Sequence, residues 1–240
     1  MVILIGIATV VSTFLGGLFA LRFKDKLHLI LGFSAGAVLG VAFFDLLPEA
    51  ITLGSTAYDV GQITSIVALG FVVYMILDRF VVLHTHASEG QVDHTTHRGK
   101  LGAGSLSAHS FFDGIAIGLA FQVSSAVGSI VAVAVLVHDF SDGINTVNLI
   151  LKNGGTRRVA FQWLFVVAIA PLAGVIATLF FSLPEQVLGI VLAVFCGFFL
   201  YIGASDLLPE SHHNHPTKWT TFMTILGVIV LYGAIRLAAL

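Results

Sequence analysis

The chain has 240 residues, of which 57% are hydrophobic and 10% are charged, with a formal net charge of −2. Soluble domains carry roughly 25% charged residues, so this composition excludes an ordinary soluble protein and indicates a membrane protein. The near-neutral charge gives no indication of nucleic-acid binding, and the single cysteine, Cys196, excludes a disulfide within the chain.

Eight apolar segments follow one another along the chain, separated by short polar stretches. About 20 helical residues cross a hydrocarbon core about 30 Å thick, and long runs rather than short alternating strands argue against a β-barrel. We therefore predict an all-α membrane protein with eight transmembrane helices in one domain, residues 1–240. The predicted spans are 2–21, 29–50, 62–83, 101–123, 126–151, 159–181, 186–208 and 218–239.

The second span ends in a sequence that returns at the end of the seventh. Residues 45–49 and 206–210 both read Asp-Leu-Leu-Pro-Glu. With eight spans the two copies lie at opposite membrane faces, which is typical of the inverted repeats of secondary transporters. We predict that spans 1–3 and 6–8 form such a pseudo-repeat around spans 4 and 5. In an alternative interpretation, each proline ends a helix and the acids face headgroups.

The loop between spans three and four, residues 84–100, lacks hydrophobic periodicity and is rich in histidine. All but one of the 11 Lys and Arg residues fall on the same membrane face as this loop. Cytoplasmic loops are enriched in these residues, so we predict a cytoplasmic loop and termini outside. A metal-collecting role and a plain soluble linker both fit the loop histidines, which are His84, His86, His94 and His97.

Spans four and five each contain the pattern H-x-x-x-D-G. His109 with Asp113, and His138 with Asp142, are four residues apart and therefore share a helix face. Because the two spans run in opposite directions, His109 and Asp142 fall at one depth, and Asp113 and His138 at another, near the middle. Charged groups at this depth usually mark function. Two neutral imidazoles and two carboxylates nearly balance a divalent cation, and they suit Zn²⁺, Fe²⁺, Mn²⁺ or Co²⁺.

Other polar residues extend this metal hypothesis along a transport path. Ser110 and Asp139 lie at the edge of the same faces, where they suit a second ion, a proton or a transit position. Acids at both membrane faces would gather cations. We assign Asp45 and Glu49 to the entrance, and the exit to Asp206, Glu210, His212 and His213.

Three alternatives compete with a transporter. In the first, the His–Asp pairs form hydrogen bonds that hold helices together. In the second, they bind the zinc of an intramembrane hydrolase, which keeps an open coordination position and needs no inverted repeat. In the third, the metal is fixed in a structural or sensor protein, which predicts retention without flux.

The chain resembles the ZIP (zinc- and iron-regulated transporter-like) family of metal transporters, prokaryotic type, over its whole length. The motifs of spans four and five carry the resemblance, together with the two Leu-Pro-Glu ends and the His-bearing loop. The resemblance places Asp139 at a position associated with a second metal, whereas Ser110 stands where the family usually has Asn. We therefore expect one well-formed primary site, at His109, Asp113, His138 and Asp142.

The resemblance implies import of divalent cations into the cytoplasm, with zinc as the first substrate and iron, manganese and cadmium as alternatives. A rigid-body or elevator-like shift of the helices bearing the site would expose it to each face in turn. The expected partners are the metal ion and the lipid bilayer, and a homodimer is compatible with the sequence. The compact chain without targeting features suggests a prokaryotic plasma membrane.

Overall fold

Eight long helices make up the computed structural model, which describes residues 1–22, 27–86, 94–213 and 218–238. Each contains a stretch long and apolar enough to cross a membrane, and the described residues form no strand. The predicted all-α architecture with eight spans is confirmed. The helices are α1 (Val2–Arg22), α2 (Leu27–Val41, continued by Ala42–Leu46 and Leu47–Gly54), α3 (Val60–His86), α4 (His94–Val123), α5 (Ser125–Lys152), α6 (Arg157–Ala177, continued by Thr178–Phe180), α7 (Glu185–Tyr201, continued by Ile202–Leu207 and Leu208–His213) and α8 (Lys218–Ala238).

A single residue, Ser124, connects α4 to α5. Its backbone is extended, and its hydroxyl accepts a hydrogen bond from the Val127 backbone N–H at 3.1 Å, which caps α5. A serine at this position satisfies one of the donors that a helix start leaves free. The connection forces α4 and α5 into an antiparallel hairpin, so the faces bearing the two H-x-x-x-D-G motifs lie side by side.

Helices α3 and α4 extend further than the sequence predicts. Residues 84–86 and 94–100, predicted as parts of a loop, are helical. The sequence does not predict these helical residues because they are polar and lack hydrophobic periodicity. A helix end that extends out of the bilayer needs no apolar face toward lipid. Residues 87–93 lie outside the described ranges.

Helices α2 and α7 each contain a wide π-helical turn at the repeated sequence. The Leu47 N–H bonds the Ala42 carbonyl, five residues back, and the Leu208 N–H bonds the Gly203 carbonyl in the same way. The following prolines lack an N–H and crowd the carbonyl four residues before them, which favours a widened turn. The alternative that these prolines end the helices is wrong, since α2 and α7 continue past their predicted ends.

The eight helices pack as two groups of four. Helix α1 lies on α5 and α6, and α4 lies on the same two helices; α2 packs on α7 and α8, and α3 packs on α7. The groups meet mainly where α2 crosses α5 and where α4 approaches α3 and α7. The site-bearing hairpin α4–α5 therefore belongs to one group, and the two widened helices belong to the other.

Paired glycines mark four close helix crossings. In each, a Cβ on either glycine would collide with a backbone carbonyl of the partner helix, so only glycine allows this approach. In the predicted repeat, α1, α2, α3 and α4 are equivalent to α6, α7, α8 and α5. The crossing of α1 with α5 is then equivalent to that of α6 with α4, and the crossing of α2 with α8 is equivalent to that of α7 with α3. This matches the predicted pairing of spans 1–3 with 6–8. The glycines are Gly16 and Gly143, Gly174 and Gly114, Gly36 and Gly227, and Gly197 and Gly70.

Candidate metal site

The four side chains predicted as metal ligands converge between α4 and α5. His109 Nε2 lies 3.1 Å from Asp113 Oδ2 and 3.6 Å from Asp142 Oδ2, and His138 Nε2 lies 3.2 Å from Asp113 Oδ2. One ligand atom from each residue lies within 4.8 Å of all the others. Ligand atoms placed 2.0–2.2 Å from a tetrahedral zinc ion are about 3.4 Å apart. The cluster therefore has dimensions that suit a zinc-sized cation.

Helix geometry and the short connection together produce this convergence. Residues four apart lie on one face, and the single-residue connection aligns the two faces in opposite directions. His109 of α4 consequently meets Asp142 of α5, and Asp113 meets His138, in the pairing that the depths predict. Because both helices are long and regular here, the four ligands are held by rigid elements rather than by loops.

The site is buried, and with neutral imidazoles its two carboxylates leave a charge that a divalent cation would balance. The exposed fractions are 8% for His109, 2% for Asp113, 0% for His138 and 4% for Asp142. Asp142 Oδ2 has no hydrogen-bond partner among the described residues. Two carboxylates at membrane depth are costly unless neutralised, and with neutral imidazoles a divalent cation compensates both. The donor set of two nitrogens and two carboxylates suits zinc and its neighbours in the first transition row.

The second ring nitrogens of the two histidines contact different kinds of group. His138 Nδ1 is 3.1 Å from the Ala134 carbonyl of its own helix. A carbonyl only accepts, so Nδ1 carries a proton and Nε2 is the nitrogen left for a metal. His109 Nδ1 is 2.9 Å from the Tyr74 hydroxyl, which belongs to α3. The orientation of His109 thus depends on a helix outside the hairpin.

Ser110 and Asp139 lie beside the four-residue cluster but not within it. They are 1% and 0% exposed, and neither the Ser110 hydroxyl nor either carboxylate oxygen of Asp139 has a hydrogen-bond partner among the described residues. Buried polar atoms without partners are rare and ask for an explanation. A transit or second-ion role for these two residues fits this environment and stays a prediction.

The repeated acids have different surroundings at the two ends. Asp45 is buried, with Oδ2 lacking a hydrogen-bond partner in the described part of the chain, and Glu49 is half-buried. Asp206 and Glu210 are exposed, and Asp206 lies close enough to Asp142 and His109 to interact with them electrostatically. The two copies of the repeated sequence therefore differ in the exposure of their acids.

Of the remaining predicted histidines, only one has a described side chain. His212 is half-buried, and its Nδ1 lies 2.9 Å from both the Ser211 hydroxyl and the Leu208 carbonyl. Its ring is therefore held by local contacts. Predictions for the other side chains lie outside what the structure describes; these residues are His84, His86, His94, His97 and His213.

Sequence reasoning missed two residues of α3 that lie near the site. Tyr74 contacts His109, and the Asp78 carboxylate accepts a hydrogen bond from the Tyr201 hydroxyl at 2.9 Å. Asp78 carried a usable signal, because a charge inside the predicted third span meets the criterion that identified the acids of spans four and five. Tyr74 carried none, since a single tyrosine in an apolar span is ordinary.

Comparisons with known proteins point to one family. A family model described as ZIP zinc transporter matches residues 103–240. The zinc transporter ZupT of Corynebacterium aurimucosum is 28% identical over 245 residues, covering 94% of this chain and 92% of that protein. The zinc transporter foi of Drosophila melanogaster is 29% identical over 132 residues, and human zinc transporter ZIP4 is 30% identical over 118 residues. The aligned parts span only 19% and 18% of these two animal proteins.

Proposed function

Because the chain belongs to the ZIP zinc transporter family, we propose that it transports divalent transition-metal cations, zinc first, across the membrane. The observation that carries the proposal is the convergence of His109, Asp113, His138 and Asp142 inside two membrane-spanning helices. The relatives described above are named as zinc transporters, which supports zinc over iron, manganese and cadmium.

The geometry favours a cargo site over a hydrolase site. A catalytic zinc keeps about three protein ligands and an open position for water or substrate. Here four protein side chains reach one point, and the paired helix crossings give the chain the inverted architecture of a carrier. A structural or sensor metal would share the closed coordination, so flux is the property that separates it from a carrier.

The transport path that we propose runs from Asp45 and Glu49, through the central cluster, to Asp206, Glu210 and the histidines after them. The group of α1, α4, α5 and α6 would shift relative to α2, α3, α7 and α8 to open the site to each face. Support comes from the division of packing contacts between the two groups. A side-chain hydrogen bond of 2.8 Å between Ser34 and Ser141 crosses this interface and would break in a large shift.

Uptake of radioactive zinc into proteoliposomes tests the proposed function. Saturable uptake is expected for the native chain and should fall to the level of protein-free liposomes when His138→Ala and Asp142→Ala are combined, because half of the ligands are removed. Asp59→Ala combined with Glu185→Ala removes two exposed acids outside the site and should leave uptake intact. Tightly retained zinc without flux in the native protein would overturn the transporter proposal and favour a structural metal.

We also propose that the transport direction is import across a prokaryotic plasma membrane, with both termini outside and the Asp206 end facing the cytoplasm. Support comes from the arginine and lysine residues on the same face as residues 84–100. A second copy of the chain is the protein partner that we propose, and the mass of the purified particle tests it.

Thiol labelling tests the proposed orientation. The native thiol, Cys196, is buried, so background labelling should be low. Asp206→Cys should react with a membrane-impermeant maleimide in inverted vesicles but not in intact cells, because Asp206 is exposed and faces the cytoplasm. Asp45→Cys should react slowly from either side, since Asp45 is buried. Rapid labelling of Asp206→Cys in intact cells would reverse the orientation.

A further inference from the structure

The hydrogen bond between Tyr74 and His109 links the candidate metal site to a helix of the other packing group. The tyrosine hydroxyl lies 2.9 Å from His109 Nδ1, and the two rings meet edge to face at 80°, with centroids 5.7 Å apart. His109 Nε2 points the opposite way, toward Asp113 and Asp142. Both ring nitrogens of His109 therefore have fixed partners, and only Nε2 faces the other ligands.

The position of the Tyr74 hydroxyl is itself constrained by packing. The Tyr74 ring lies 5.2 Å from Phe198 and 5.4 Å from Tyr201, measured between centroids, and both neighbours belong to α7. Tyr201 is anchored in turn, because its hydroxyl donates to Asp78 Oδ2. Aromatic rings packed in this way have few alternative rotamers. The tyrosine thus presents a hydroxyl at a set point rather than on a mobile side chain.

We propose that Tyr74 is a positioning residue, which holds the imidazole of His109 in the orientation that binds the transported metal. When Nε2 binds a cation, Nδ1 carries the proton and donates a hydrogen bond to the tyrosine oxygen. Groups that hold the second nitrogen of a ligating histidine fix its tautomer and ring orientation, and removing them typically lowers metal affinity about 10–100-fold. The inference rests on the proposed function, because it assumes that His109 binds the cargo.

The two ligating histidines are consequently held by different means. His138 is oriented by Ala134 of its own helix and keeps that partner wherever α5 moves. His109 is oriented by α3, which packs with α7 in the other group. A shift of α4 past α3 removes the hydroxyl from Nδ1 and frees the ring. Metal is therefore bound most tightly while α3 lies against α4, and it is released more easily after the shift.

A zinc titration of the purified full-length chain tests this role. Tyr74→Phe keeps the ring and its packing but removes the hydroxyl, so we expect the Kd for zinc to rise about 10–100-fold with little change in thermal stability. Tyr232→Phe is the matched control, because the hydroxyl that it removes belongs to α8 and accepts a hydrogen bond from Arg236 Nε rather than from a ligand. Its Kd should stay within about twofold of the native value.

A double-mutant cycle with His109→Ala shows whether Tyr74 acts through His109. In the His109→Ala background, Tyr74→Phe should have no further effect on zinc affinity, because the group that it orients is gone. Equal Kd values for Tyr74→Phe and the native chain, or additive effects of the two substitutions, would overturn the proposal. Absence of zinc binding by the native chain would instead overturn the proposed function, and this inference with it.

Discussion

Replacing Asp113 by asparagine is expected to weaken zinc binding on the order of 100-fold or more, about 2.7 kcal/mol at 25 °C. Asp113 Oδ2 contacts both histidines, at 3.1 and 3.2 Å, and is the one carboxylate oxygen that the two histidines share among the described contacts. Asparagine has nearly the same shape but lacks the charge, so the fold should persist while the match to a divalent cation is lost. Isothermal titration of zinc into the purified protein measures the change.

Asp59→Asn provides the matched control for that experiment. Asp59 is exposed, and its carboxylate accepts a hydrogen bond from the Gln62 N–H at the start of α3, a contact that asparagine can also make. Zinc affinity should therefore be unchanged. An Asp113→Asn variant that binds zinc within about twofold of the native affinity would show that the cluster is not the main binding site.

Replacing Gly114 by alanine is expected to destabilise the protein by about 3 kcal/mol, which corresponds to roughly 6–12 °C in the midpoint of thermal unfolding. The added Cβ would collide with the backbone carbonyl of Pro171 where α4 crosses α6. A backbone carbonyl inside a helix cannot rotate away as a side chain does. Alanine otherwise favours a helix by about 1 kcal/mol over glycine. The substitution is therefore destabilising only because of the collision.

Gly104→Ala, in the same helix, separates the two effects. Its added Cβ would meet only ring atoms of Trp163, at 3.8 and 3.9 Å, which is ordinary van der Waals contact. The propensity gain should then dominate, and the midpoint should stay or rise slightly. Thermal unfolding of both variants in the same detergent makes the comparison. Equal midpoints for Gly114→Ala and Gly104→Ala would show that α4 and α6 do not approach as closely as described.

The central site follows from the sequence because its geometry is almost entirely local. Four-residue spacing places each histidine and aspartate on one face, and a connection of one residue aligns the two faces at matched depths. Neither step requires knowledge of distant contacts. The contribution of Tyr74 could not be predicted in this way, because it depends on how α3 packs beside α4. No pattern within span three predicts that neighbour.

The repeated acidic sequence shows a different limit of prediction. Asp45 and Asp206 occupy equivalent places in two identical five-residue segments, yet Asp45 is buried and Asp206 is exposed. Identical local sequences predict identical local structure, and both segments do contain the same π-helical turn. The difference in exposure therefore depends on which other helices pack against each segment, and neither local sequence encodes those neighbours.

The one-residue connection at Ser124 also has a consequence for insertion into the bilayer during synthesis. An aspartate at the centre of a lone helix costs about 2.5–3.5 kcal/mol to place in the membrane, and α4 is the least apolar of the eight spans. Joined as a hairpin, α4 and α5 present the imidazoles and carboxylates to one another while they leave water. We therefore expect α4 and α5 to enter the bilayer as a pair, with the two histidines and two aspartates in contact before α6 to α8 are synthesised.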